Sequence, residues 1–159
     1  MQSRYPMLVA LAAALLLAAC GAQPPARTAD NAPAPQEAIA RAGDVTMRAS
    51  VVQTSTLGAD VAARYGISRD PGTVMLLVAV RQGPDGDEVA LPAQVTATAT
   101  DLRGQRQTFA MRELRVGDLL DYVGTVRTTL PDTLRVDVTI VREGGATSSL
   151  QFSREFFPR

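Results

Sequence analysis

Histidine, lysine and tryptophan are missing from this 159-residue chain, and cysteine occurs once, at Cys20. Each absence removes chemistry. Without histidine or lysine, the Ser–His–Asp, Cys–His and Ser–Lys nucleophilic arrangements cannot be assembled within the chain, and neither can a lysine Schiff base. Zinc, copper and haem sites that depend on imidazole or a spare thiolate are excluded for the same reason. No metal and no cofactor is expected. A single cysteine cannot form an intrachain disulfide. Every basic residue is arginine, the 16 basic residues balance 16 acidic ones, and no basic patch points to nucleic acid. Aromatics make up 4% of the chain, which leaves few platforms for stacking sugars. Carboxylates are the acid–base equipment that remains.

What is present starts with Leu17-Ala18-Ala19-Cys20. A short head carrying one charge, Arg4, precedes an uncharged run of leucine and alanine from Met7 to Ala19. A positive head, an apolar core of about 7–15 residues and small residues before the cut define a secretory signal peptide. The run is shorter than the roughly 20 apolar residues a membrane-spanning helix needs. Leu-Ala-Ala-Cys resembles the bacterial lipobox. That resemblance implies cleavage after Ala19, a diacylglycerol thioether on Cys20 and acylation of the new amine. Each buried methylene adds about 0.8 kcal/mol, and anchoring becomes stable once more than one acyl chain inserts. Gly21 stands where enteric lipoproteins retained at the inner membrane carry aspartate, so outer-membrane placement in a Gram-negative envelope, facing the periplasm, is expected by resemblance.

Residues 1–19 therefore read as signal peptide and residues 20–42 as the lipidated end and a flexible tether. Its alanine, glutamine and proline, with Pro24-Pro25 and Pro33-Ala34-Pro35, keep no hydrophobic period and favour extended, unpaired backbone.

Residues 43–159 make one domain's worth of chain. Val45, Met47, Ala49 and Val51 alternate with polar neighbours, the period of a half-buried strand. Residues 73–81 are apolar on both faces and suit a central strand. Gly83-Pro84-Asp85-Gly86 is a turn. Val95, Ala97 and Ala99 oppose a polar strip of Gln94, Thr96, Thr98 and Thr100, with Pro92 signalling an edge or bulge. Residues 105–114 read as one strand with Phe109 and Met111 inward. Leu120, Tyr122 and Val126 follow, and then Leu134, Val136, Val138 and Ile140 give the clearest alternation in the chain. Gly144-Gly145 turns into a last strand carrying Leu150, Phe152 and Phe156. About seven strands spaced by turns predict an all-β fold, an immunoglobulin-like antiparallel sandwich. One segment, Thr56 to Ile67, carries helix formers between a capping threonine and Gly66, with Val61 and Tyr65 on one face. It predicts a short helix between the first two strands.

Tyr65-Gly66-Ile67, Leu102 with Gly104-Gln105, Arg112-Glu113, Gly117-Asp118 with Tyr122, Thr133-Leu134-Arg135-Val136 and Gln151-Phe152, in this order, resemble the domain of unknown function 4426 family of small lipoprotein-like Gram-negative proteins. The resemblance spans about residues 43–157. It implies no activity and transfers no catalytic residue.

Two classes of function stay open, both without catalysis. One is an accessory module that recognises another envelope protein through an open strand edge. The other binds a small ligand or an envelope polymer (lipid, glycan or peptidoglycan) in a groove between the helix around Tyr65 and the strand ends. Tyr65, Arg69, Arg112 and Glu113 are the candidate surface residues, and the exposure of the Gln94–Thr100 strip bears on which kind of partner fits. A remote third reading is a two-carboxylate hydrolase using Glu113, Asp118 and Asp121. Against it, Arg112 and Glu113 are expected to pair with neighbouring strands, Arg127 or Arg135 being the candidates. Asp85, Asp87 and Glu88 read as a solvated hairpin tip, since they lack the ligand ladder of a calcium loop.

Overall fold

The computed structural model describes residues 37–158. The signal segment, Cys20 and most of the expected tether lie outside the described residues. In chain order the elements are β1 (Glu37–Ala42), β2 (Val45–Gln53), α1 (Ala59–Tyr65), β3 (Thr73–Gln82), β4 (Val89–Ala90), β5 (Ala93–Thr100), β6 (Arg106–Thr108), β7 (Arg112–Val116), β8 (Leu119–Arg127), β9 (Asp132–Arg142) and β10 (Thr147–Phe156). They form a β-sandwich of two antiparallel sheets. One runs β1-β2-β3-β8-β7, with the short β4 also on β3, and the other runs β10-β9-β5-β6.

Alternation places the core between the sheets. Leu134, Val136, Val138 and Ile140 on β9 are all essentially buried, as are Val45, Met47, Ala49 and Val51 on β2. Val95, Ala97 and Ala99 on β5 and Leu120, Tyr122 and Val126 on β8 complete the same cluster, with Phe109, Leu150 and Phe156 closing it. Tyr122 also spans the two sheets through a polar tip, its hydroxyl accepting the Ala93 amide at 2.7 Å. A buried phenol hydroxyl keeps a partner because losing one costs about 1–3 kcal/mol.

β3 is apolar on both faces for a visible reason. Val74, Leu76, Val78 and Val80 face the other sheet, while Met75 faces outward into a second cluster with Leu114 and Val123. Val52, Leu57, Tyr65, Ile67 and Leu77 pack over that cluster. The helix and its flanking turns therefore add a third layer on the outer face of the larger sheet.

The observed elements depart from the expected ones in several places. Glu37–Ala42, expected as the end of the tether, is a strand paired along its whole length with β2, so the helix follows the second strand rather than the first. Residues 105–114, expected as one strand, are two: β6 pairs with β5 in one sheet and β7 with β8 in the other. The chain changes sheets at Phe109-Ala110-Met111, where a tight turn sets the Met111 amide on the Phe109 carbonyl at 2.9 Å. Pro92 separates β4 from β5, as its missing amide requires. In α1 the buried position is Ala62, while Val61 is 37% exposed. The helix follows Gly58, with no side-chain cap, because Thr56 donates its hydroxyl to the Gln53 carbonyl instead. Gly66 ends α1 at φ +62°, ψ +37°, a conformation that strains residues with a Cβ. The Ile67 amide then reaches the Ala62 carbonyl at 2.9 Å, and the Ile67 side chain packs into the outer cluster.

Candidate functional site

A groove of about 500 Å³ lies on the outer face of the larger sheet, where the cover provided by α1 stops. Its floor is the C-terminal half of β8, Val123 to Arg127. One wall is the turn after α1, with Gly66, Ser68 and Asp70. The other is the sheet-changing segment, from Gln107 to Arg112.

The first wall is held by a polar lock. The Thr54 hydroxyl, fully buried, donates to the Asp70 carbonyl at 3.0 Å and accepts from the Asp70 amide at 2.9 Å. The Asp70 carboxylate accepts from the Gly72 amide at 2.7 Å and from the Thr73 hydroxyl at 3.2 Å. Gln53 donates to the Pro71 carbonyl at 3.1 Å.

The second wall requires Gly124. A Cβ there would lie 2.7 Å from the Met111 sulfur, 3.1 Å from Phe109 Cβ and 3.2 Å from the Ala110 carbonyl carbon. The crossing segment thus rests directly on the backbone of β8.

The edge of β8 is interrupted at this place. Its backbone pairing with β7 runs only as far as Arg112 opposite Val123. Further along, the Gln107 side chain acts in place of a strand: its amide nitrogen donates to the Arg127 carbonyl at 2.7 Å and its oxygen accepts the Arg127 amide at 3.3 Å. Backbone groups along a strand point to one edge at alternate residues. Val123 and Arg127 point toward β7, so Thr125 between them presents its amide and carbonyl to the groove. Arg112 stands at one end, its guanidinium donating to the Tyr65 carbonyl, and exposed Arg127 stands at the other. This arrangement offers a short strand edge between two positive charges.

Of the four residues expected to form a surface site, the fold joins Tyr65 and Arg112. Arg69 instead donates to the Ser55 carbonyl at 3.1 Å. Glu113 sits opposite Tyr122, on the face of β7 turned away from the helix, and pairs with Arg115 at 3.0 Å rather than with Arg127 or Arg135. Arg135 lies nearest Asp137, at 3.6 Å. Asp121, opposite Leu114, lies on the helix side and is paired with Arg81. Glu113 and Asp121 are thus on opposite faces of one sheet, and Asp118, the third carboxylate of the hydrolase reading, is exposed in the turn between β7 and β8. Glu88 forms an ion pair with Arg48 at 3.1 Å, so it is no free ligand at the hairpin tip. No group of three metal-binding side chains occurs among the described residues. The strip opposite the core on β5 is exposed at Gln94 and Thr96 and half-buried at Thr98 and Thr100. Gln107 and Arg127 were not among the expected site residues. Their pairing joins positions 20 apart, and no local signal marks it.

The model of the domain of unknown function DUF4426 matches residues 39–159. The chain belongs to this family. A crystal structure of a DUF4426 protein from Pseudomonas aeruginosa PAO1 is similar to it at 22% identity, with a TM-score of 0.65, covering 78% of this chain and 97% of that one. The DUF4426 sandwich seen here is therefore shared with a solved member of its family. Weaker likeness extends to "as isolated" FetP from uropathogenic Escherichia coli strain F11, at 13% identity and a TM-score of 0.47, covering 76% of this chain and 93% of that one. A copper-bound variant of FetP scores 0.46 at 10% identity, covering 74% and 93%. At that distance FetP says nothing about the chemistry of this DUF4426 domain. No curated protein matches the chain. Among the described residues, no helix is long and apolar enough to cross a membrane.

Proposed function

We propose that this protein is a lipid-anchored, periplasm-facing module of the Gram-negative cell envelope that binds a partner protein without catalysis. Cys20 carries the anchor, and the absence of aspartate at position 21 favours the outer membrane. The observation that carries the binding role is the interrupted edge of β8. An extended partner segment can add backbone hydrogen bonds at Thr125, the mode by which exposed strand edges take up peptides. Arg112 and Arg127 favour acidic residues in that segment, and their planar guanidiniums bind carboxylates in two-point fashion.

The test is a photo-crosslinking residue in place of Thr125 in cells, with Ser149 on the far sheet as the control site. The expected result is a partner captured from position 125 and not from 149, which then binds the purified full-length protein and loses affinity on Arg112→Ala with Arg127→Ala. Equal capture from both sites, or affinity unchanged by the double substitution, overturns the reading. The groove's volume also lies in the range of small-ligand pockets, roughly 300–1,000 Å³, which favours a second reading as a binder of a short anionic ligand. A thermal-shift screen of peptidoglycan fragments, glycans and lipids tests it, and a flat response removes it.

A further inference from the structure

The groove beside β8 is shut at one end and open at the other. At the shut end the guanidinium of Arg112, on β7, crosses to the Tyr65 carbonyl at the end of α1 and joins the two walls. Behind this bridge Tyr65 and Ile67 pack on Met75, Leu114 and Val123, so the outer face of the sheet is filled. The edge of β8 is filled there as well, because β7 occupies it from Arg112 opposite Val123 onward. At the other end Gln107 and Arg127 line both the groove and a second cleft of about 650 Å³, whose lining also includes Gly72, Thr128 and Asp132. The groove has its way out on that side.

Between the two ends there is room for few residues. Val123 to Arg127 spans about 13 Å at roughly 3.3 Å per residue, and the backbone groups of Arg127 are held by Gln107. A strand running through the groove would have to displace β7 to continue. A chain that stops inside it would not. What such a chain end meets is a guanidinium. Arg112 has five N–H donors, and one bond from it goes to the Tyr65 carbonyl. The group lies in the groove lining beside Gly66, where an added Cβ would stand 3.6 Å from its Nη2. A cation with donors to spare fits a carboxylate and repels the ammonium of an N-terminus.

We infer that the groove takes the C-terminal end of its partner, with the terminal carboxylate on Arg112. The inference rests on the edge-binding role proposed above and names the part of the partner that binds. Direction follows from the two ends. A chain that enters past Arg127 and finishes at Arg112 runs opposite to β8, which gives an antiparallel ladder like the other pairings of this sheet. In that ladder the residue facing Thr125 exchanges two hydrogen bonds with it. When this is the penultimate residue, the last one lies opposite Gly124 and its carboxylate falls at the Arg112 end. Residues further from the terminus lie by Arg127, where an acidic side chain is favoured. Asp70, the acid in the groove lining, is occupied by the Gly72 amide and the Thr73 hydroxyl. Capture of a chain end by its charge, added to a strand ladder, combines two general modes of peptide recognition.

The test uses full-length protein and two random heptapeptide libraries, one ending in a free carboxylate and the other in a carboxamide. Affinities of the selected peptides are then measured by fluorescence anisotropy. Selection from the carboxylate library is expected, and amidation of a selected peptide should weaken it about tenfold or more. Arg112→Gln should abolish the difference between acid and amide, whereas Arg127→Ala should lower affinity and leave that difference in place. Equal affinity of acid and amide for the unaltered protein overturns the inference, and so does a preference for the acid that survives Arg112→Gln. The two readings fail separately. Peptides that bind equally as acid and amide, and weaken when Arg112→Ala is combined with Arg127→Ala, remove the chain end and keep the edge. Libraries that yield no binder remove both.

Discussion

The two sheets of this sandwich solve different burial problems. The β10-β9-β5-β6 sheet has one apolar face, and its other face is polar, with Thr96, Thr139, Ser149 and Gln151 turned to solvent. The β1-β2-β3-β8-β7 sheet is apolar on both faces at its centre, and a short helix covers part of the outer one. A face covered only in part has a boundary where the cover ends. The groove lies at that boundary. An added layer thus creates a site as a by-product of incomplete coverage.

Substitutions can break this comparison. The largest effect is expected for Val138→Asp, which places a carboxylate in the shared core and should exceed the roughly 5–15 kcal/mol that holds a typical domain together. A soluble variant with a cooperative melt would show that the two sheets do not share one core. Met75→Ala removes a side chain from the outer cluster alone, and a loss of about 2–3 kcal/mol by denaturant titration is expected for a buried methionine with some room to relax. A negligible loss would mean that the helix decorates the sheet without stabilising it. Gly124→Ala pushes the crossing segment off β8 and should cost about 1–3 kcal/mol, with a weakened crosslink from position 125. Thr139→Lys, on the polar face, should change stability by no more than about 0.5 kcal/mol. A larger loss would reveal a covered surface where the comparison requires an open one.

Much of the architecture can be read from the chain because alternation survives wherever large residues face the core. Leu134 to Ile140 and Val45 to Val51 are legible on that ground alone, and the double-sided β3 announces a central strand. β1 is not legible, since Ala38, Ala40 and Ala42 are its inward residues and alanine contrasts too weakly with a proline- and alanine-rich neighbourhood. The division between β6 and β7 is equally silent. No glycine or proline marks the change of sheet, and the residue that permits it, Gly124, lies on another strand. The helix phase was misleading because Ala62 is a smaller apolar signal than Val61, yet it faces the sheet. At the site, the groove's position beside Tyr65 and the role of Arg112 could be anticipated from the short helix and the strand ends. The clasp between Gln107 and Arg127 depends on register across two sheets, and composition carries no trace of it.

The segment from Arg106 to Val116 belongs to both sheets, and this has a consequence for motion. A lid or loop can open while the rest of a domain stays folded, and its amides then exchange with solvent far faster than those of the core. Here the groove's wall is a continuous backbone brace between the sheets. It cannot swing out without breaking β5–β6 pairing on one side and β7–β8 pairing on the other. Amides around Thr108 to Leu114 should therefore exchange by near-global unfolding, and whatever occupies the groove should raise the melting temperature of the whole sandwich.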